Sequence, residues 1–285
     1  MAADAVRGKA GPIVDGVACD LRFEGEIGAA RSTLEALFSP PLVSGDVETR
    51  GLGGAPSVDV IVQIEADRRR SLLVADMDST MITVECIDEL ADYVGLKAEV
   101  AEVTERAMRG EIDFAGALRD RVALLAGMSE ATVAECLRER VRIMGGAQAL
   151  VRTVRKNGGY ALLVSGGFTH FTGPVAAQIG FDRAVANALV VRDGVLTGVT
   201  ELPIVDAETK RAELVGELAA RGLNASACLA VGDGANDIPM IAAAGLGVAY
   251  HAKPKTEAAA DARVKIGDLS VILYAMGFAS VDWAD

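Results

Sequence analysis

The sequence predicts an α/β fold built on a parallel sheet, and three observations carry that expectation. Four short, continuous apolar runs, Leu72 to Ala75, Tyr160 to Val164, Cys228 to Val231 and Leu246 to Ala249, each end in small or polar residues, as strands buried on both faces do. Helical spacing of apolar residues fills the intervals between them. Of the 285 residues, 51% are hydrophobic and only 24% charged, enough to bury a large core and too apolar for a disordered chain.

The first seventy residues read as a separate small α/β module. Val17, Cys19, Leu21 and Phe23 alternate with other residues and predict a half-buried strand. A short helix over 29–38 follows, ended by Pro40 and Pro41, and a glycine-rich loop runs through Gly51, Gly53 and Gly54. Val58, Val60, Val62 and Ile64 alternate again, which predicts a second strand. The basic run Arg68-Arg69-Arg70 reads as a solvated linker to everything downstream.

Between the first and second core strands, residues 85–145 carry four predicted helices. Ile87, Leu90, Ala91 and Val94 share one face of the first, which closes at Gly95; Val100, Val103 and Ala107 mark the second. Asp113 caps the third, whose apolar face is Phe114, Ala117, Leu118, Val122 and Leu125, and Ser129 opens the fourth. Inserted at this point, the four helices are placed to cap the C-terminal end of the first strand, leaving 71–84 and 146–285 as the core. Asp193-Gly194 inside 190–196 signals a tight hairpin.

The charge balance narrows the function. With 28 Lys+Arg against 40 Asp+Glu, the formal net charge is -12, the wrong sign for a general nucleic-acid binder. Any anionic substrate must meet locally concentrated positive charge. Cys19, Cys86, Cys136 and Cys228 are widely spaced without a C-x-x-C pair, so neither a disulfide framework nor a zinc knuckle is indicated. The N-terminal residues lack an apolar signal core and no uncharged run reaches spanning length, so the expected location is the cytoplasm, with no membrane partner.

The ends of the apolar runs hold the reactive residue types. The first leads into Asp76-Met77-Asp78-Ser79-Thr80, two carboxylates where an open α/β sheet binds ligands. A calcium loop fails here, because its sixth and twelfth positions hold Met81 and Ile87. The second leads into Ser165-Gly166-Gly167, a hydroxyl and two backbone N–H groups that can approach an oxyanion, or a plain tight turn. The third leads into Gly232-Asp233-Gly234-Ala235-Asn236-Asp237. Asp206 caps a helix whose Lys210 either reaches the same edge or is solvated. Arg121 falls on the apolar stripe of the third inserted helix, where its head needs an anion or must snorkel out.

Asp76, Asp78, Ser165, Lys210 and Asp233, in this order at element boundaries, resemble the four motifs of the haloacid dehalogenase superfamily of phosphatases, with a Rossmann-like core. Within it, Asp76-Met77-Asp78-Ser79-Thr80 with Glu85 downstream, and Met108, Phe114 and Arg121 in the cap, resemble the phosphoserine phosphatases over about 72–278. That resemblance implies hydrolysis of phosphoserine to serine and phosphate, the last step of serine biosynthesis, through an aspartyl-phosphate. It makes Asp76 the nucleophile and Asp78 the general acid and base. It implies Mg²⁺ on Asp76, the Asp78 carbonyl and Asp233, with Asp237 positioning the metal shell. Ser165, the Gly166 N–H, Lys210 and Asn236 would then hold the phosphate. Glu85 would meet the substrate's amino group and Arg121 its carboxylate, while Met108 and Phe114 exclude water.

Other readings remain open from the residues. A receiver-type signalling module shares an aspartate, a hydroxyl, a lysine and Mg²⁺, yet needs no second acid two positions on and no cap. A phosphatase or phosphotransferase for another small phosphorylated metabolite would share the whole core. The N-terminal module faintly resembles a reduced ferredoxin-like amino-acid-binding module and is a candidate for pairing two copies into a homodimer.

Overall fold

A computed structural model describes residues 10–14, 17–38, 58–108 and 111–284. At its centre lies a six-stranded sheet in the order β10-β9-β8-β3-β4-β5. The strands are β3 (Leu72–Ala75), β4 (Tyr160–Phe168), β5 (Arg183–Asn187), β8 (Cys228–Gly232), β9 (Leu246–Tyr250) and β10 (Ala262–Val264). Every pairing in this sheet is parallel. Continuous apolar sequence suits β3 because all four of its residues are buried.

Successive side chains of β3 enter opposite halves of the core. Leu73 and Ala75 pack with Leu163, Leu229 and Val231 on one face, and Leu72 and Val74 with Leu162, Val164 and Ala230 on the other. Helices α6 (Ala147–Lys156) and α7 (Thr169–Ile179) contribute Leu150, Val151, Phe171 and Val175 to the first face. Helix α8 (Ala207–Arg221) contributes Leu214 and Leu218 to the second. Both faces are covered, as a parallel sheet requires. The edge strands β5 and β10 escape the sequence reading because they are short and contain Arg183 and Arg263, which break the apolar signal.

All four inserted helices form: α2 (Cys86–Tyr93), α3 (Lys97–Met108), α4 (Phe114–Ala123) and α5 (Glu130–Arg140). Their ends match the sequence signals. Gly95 takes φ 77 after α2, the Asp113 side chain accepts from Gly116 N, and Ser129 accepts from Thr132 N. The two chain segments entering and leaving the insertion pair with each other, through Thr83 N to Arg142 O (3.0 Å) and Met144 N to Met81 O (2.9 Å). The predicted hairpin is β6 (Leu189–Arg192) and β7 (Val195–Thr200), turning through Asp193 (φ 52) and Gly194 (φ 75).

The N-terminal region departs from expectation. Its sheet is an antiparallel pair, β1 (Ala10–Val14) and β2 (Ala18–Leu21), followed by α1 (Ile27–Phe38). Cys19 and Leu21 are exposed, so the face predicted to turn inward turns out. The reason is Asp20, which faces Arg68 and accepts two hydrogen bonds from it at 2.7 and 3.0 Å. Residues 58–64 form no strand. Side chains hold them instead: Asp59 accepts from the backbone of Lys265 and Gly267, and Gln63 donates to Ala275 O. Pro40, Pro41, Gly51, Gly53 and Gly54 lie outside the described residues.

The basic run is not a solvated linker. Arg70 is buried and donates to Asp67 O and Ser226 O, and Arg68 also reaches Tyr274 O and Ala275 O. Arg69 donates to Gly277 O and stacks on Phe278, 3.6 Å from the ring centroid. Arg68 and Arg69 thus satisfy carbonyls at the chain's C-terminal turns, and Arg70 one in the turn before β8.

Candidate active site

The C-terminal ends of β3, β4 and β8 adjoin at the sheet's centre, where strand connections depart in both directions. Asp76 follows β3 directly, its N–H bonded to Val231 O of β8. Its Oδ1 accepts from Met77 N at 2.7 Å and lies 2.6 Å from Lys210 Nζ. Lys210 is fully buried and also donates to Asp237 Oδ1 at 2.7 Å. The reading of Lys210 as a solvated helix lysine is thereby excluded. Asp206 makes the reach possible: its side chain accepts from Thr209 N and starts α8 one turn before the lysine.

Asp76, Asp233 and Asp237 are buried, with one oxygen of each lying within 4.8 Å of the others. Burial first, and Asp237 second, push the Asp76 carboxyl well above its ordinary value, against the pull of Lys210. Asp233 is pushed up to about 6 by burial, Asp237 and Glu85. Burial alone would lower the Lys210 ammonium, but Asp76 and Asp237 outweigh it and hold it above the usual lysine range. Three carboxylates against one ammonium leave two negative charges uncompensated. An all-oxygen donor set with that deficit suits a hard divalent cation.

Asp78 is held by Cys86 N, which donates to its Oδ1 at 3.1 Å. Burial and the neighbouring Glu85 push its carboxyl up to about 7, against Cys86 and Lys210. Its other oxygen faces Gly167: a Cβ built there would stand 2.8 Å from Asp78 Oδ2 and 3.1 Å from Ser165 Oγ. Ser165 is fully buried and accepts from Gly167 N at 2.9 Å. A Cβ on Gly166 would meet Phe114 Cζ at 3.4 Å, which places the tip of that α4 ring over the glycine. Phe114 itself is 38% exposed, so its apolar position faces the site rather than the cap's interior.

Glu85 precedes α2 and its Oε1 accepts from Ser79 Oγ at 2.7 Å. Arg121 is half-buried, and burial pulls its guanidinium below the usual value against the carboxylates of Asp88, Glu85 and Asp78. Among the described residues it makes no ion pair, and its one hydrogen bond is Nε to Ala117 O at 3.2 Å. Asn236 sits on the turn between Asp233 and Asp237, close enough that a Cβ on Gly234 would meet its Oδ1. Met108 ends α3, and its side chain lies outside the described set.

A family model for haloacid dehalogenase-like hydrolases matches residues 73–242, a span containing all of these residues. The chain belongs to that family. As a hydrolase of this kind, it is also 47% identical to a phosphoserine phosphatase of Polaromonas sp. (strain JS666 / ATCC BAA-500) over 207 residues, covering 71% of this chain and 88% of the relative. A solved phospho-aspartyl intermediate analogue of phosphoserine phosphatase is 36% identical to the hydrolase with TM-score 0.67, covering 72% of this chain and 98% of the other. The unliganded probable phosphoserine phosphatase of Vibrio cholerae is 36% identical with TM-score 0.73, covering 92% of this chain and 76% of its own.

Three residues have a part in the site that the sequence reading did not assign, two of them inside the quoted motifs. Thr80 is buried and donates to Asp233 Oδ1 at 3.2 Å. Gly232 stands where a Cβ would fall 2.4 Å from Asp237 Cγ, so only glycine lets that carboxylate turn in. Asn187, at the end of β5, donates to Gly166 O at 2.8 Å. A polar residue closing Ala184-Val185-Ala186 was the available signal for it.

Proposed function

We propose that this hydrolase is a Mg²⁺-dependent phosphoserine phosphatase, with 71–84 and 146–285 as catalytic core, 85–145 as cap and 1–70 as an accessory module. The observation that carries the reading is the convergence of a lysine-paired aspartate, an aspartate raised toward neutrality and a buried serine, with a cap arginine that acts electrostatically with Asp78 and Glu85 and makes no ion pair among the described residues. Among the described residues no helix is long and apolar enough to cross a membrane. A soluble, cytoplasmic small-molecule enzyme fits that finding and the names of its relatives.

Asp76 attacks phosphorus: its carboxylate oxygen forms the new P–O bond as the bond from phosphorus to the serine oxygen breaks. Asp78 donates its proton to the departing serine oxygen, a task for which a carboxyl held near 7 is still about half protonated at neutral pH, where an ordinary carboxyl is almost wholly ionised. Asp78 then accepts a proton from water, whose oxygen bonds to phosphorus while the bond to Asp76 breaks. Lys210 holds Asp76 in place and neutralises part of the charge. Ser165 and the Gly166 N–H face the phosphoryl oxygens, with Asn236 on the same side.

Asp76, Asp233 and Asp237, with the carbonyl of Asp78, would hold the Mg²⁺. When bound it screens the carboxylates so that a phosphate dianion can approach them. Glu85 meets the ammonium of the substrate and Arg121 its carboxylate, so one anion and one cation read both ends of a zwitterion. Phe114, whose ring tip lies over Gly166, closes the site against water. Phosphate release from a panel of phosphomonoesters, with Mg²⁺ and after chelation, tests the reading. Phosphoserine should be the best ester and chelation should stop turnover; turnover of another ester in preference, or without metal, would overturn it.

A further inference from the structure

The phosphate-binding loop and the helix that carries Lys210 come from distant parts of the chain, and one side chain joins them. Asn187 is 1% exposed, so each of its polar atoms needs a partner within the protein. Its Nδ2 donates to Gly166 O at 2.8 Å, and its Oδ1 accepts from Val205 N at 2.8 Å. Gly166 lies between Ser165 and Gly167 at the end of β4. Val205 immediately precedes Asp206, the residue that caps α8 and so sets where Lys210 begins.

We infer that Asn187 is the positioning residue of phosphoryl transfer in this hydrolase, fixing the Gly166–Gly167 peptide plane relative to the start of α8. The inference rests on the proposed reading of Ser165, Gly166 and Lys210 as phosphate ligands. Holding the Gly166 carbonyl fixes the peptide whose other end is the Gly167 N–H, which donates to Ser165 Oγ at 2.9 Å. The amide is suited to this because one end must donate to a carbonyl and the other accept from an N–H. Aspartate keeps the acceptor for Val205 N and replaces the donor with an oxygen 2.8 Å from Gly166 O; leucine removes both bonds in a similar volume. Asn187 itself touches neither Asp76 nor Asp78 in any hydrogen bond, so its effect must pass through the loop.

The test measures Asn187→Asp and Asn187→Leu for kcat, for inorganic phosphate affinity by calorimetry with Mg²⁺ present, and for competitive inhibition by L-serine. Displacing the loop by a fraction of an ångström should lower kcat by about 10- to 100-fold and weaken phosphate binding, with serine inhibition unchanged. A purely structural role would reduce the folded fraction alone and leave both affinities at the wild-type value. Unchanged phosphate affinity in Asn187→Asp overturns the inference, and that variant decides the matter where Asn187→Leu does not fold. Phosphate binding does not depend on which ester is the substrate. A wild type that failed to hydrolyse phosphoserine would therefore refute the proposed substrate while leaving this test intact.

Discussion

Adding one methyl group at Gly167 should cripple the enzyme by displacing Asp78, a displacement that the same methyl at Gly166 does not cause. At Gly167 the new Cβ would stand 2.8 Å from Asp78 Oδ2, 3.1 Å from Ser165 Oγ and 3.4 Å from Met77 Cε. Ordinary contact begins near 3.4 Å, so the Asp78 carboxylate must retreat by 3.4 − 2.8 = 0.6 Å or the strand must move. A misplacement of about 1 Å in a reacting group can lower the rate by roughly 10²-fold, so a shift of this size should lower kcat by about 10- to 100-fold. At Gly166 the nearest atoms are Phe114 Cζ at 3.4 Å and Val205 O at 3.8 Å, both ordinary distances. Neither glycine has a positive φ, so alanine strains neither backbone. Steady-state phosphate release from Gly167→Ala and Gly166→Ala, with thermal unfolding as the folding control, makes the comparison. Wild-type kcat in folded Gly167→Ala would refute the placement of Asp78 against the β4 loop.

The remaining predictions concern charge. Asp76→Asn should fold and show no turnover, and Asp78→Asn should lose about 10²- to 10⁴-fold in kcat, both read by phosphate release. Glu85→Gln should lower kcat/KM for phosphoserine by about 10- to 150-fold, the worth of one charge-assisted hydrogen bond, and spare phospholactate. Arg121→Met should harm both esters and spare phosphoethanolamine, which has no carboxylate. In chelator, Asp233 and Asp78 have folded values of about 6 and about 7, both above the ordinary carboxylate value of 3.8. The folded state therefore binds more protons than the unfolded state between those limits. Metal-free protein should lose stability as pH rises from 4 through 7, and added Mg²⁺ should restore more stability at pH 7 than at pH 5 in thermal unfolding.

Much of the core was legible because its strands are buried on both faces and write themselves as unbroken apolar runs. Helix ends were legible wherever a side chain caps them, as Asp113, Ser129 and Asp206 do. The motif residues could be located for the same reason: each follows a strand end. What the sequence could not show is which long-range partner a polar group finds. Arg68, Arg69 and Arg70 look like solvated charge until their carbonyl partners more than 150 residues away come into place. Residues 58–64 alternate as a strand does, but Asp59 and Gln63 tie them to the C-terminal segment by side chains. Cys19 and Leu21 alternate correctly with the wrong face inward, since Asp20 answers to Arg68. Asn187 offered only a polar residue closing Ala184-Val185-Ala186, and its two partners come from separate parts of the chain.

The covalent role of Asp76 can be measured directly. Enzyme mixed with phosphoserine and Mg²⁺, quenched in acid during turnover and reduced with borohydride, converts any acyl-phosphate aspartate to homoserine, which peptide mass spectrometry locates. Homoserine should appear at position 76, at no other aspartate, and only when phosphoserine is present. Rapid turnover with no homoserine at 76, or with the label at Asp78, would contradict the account.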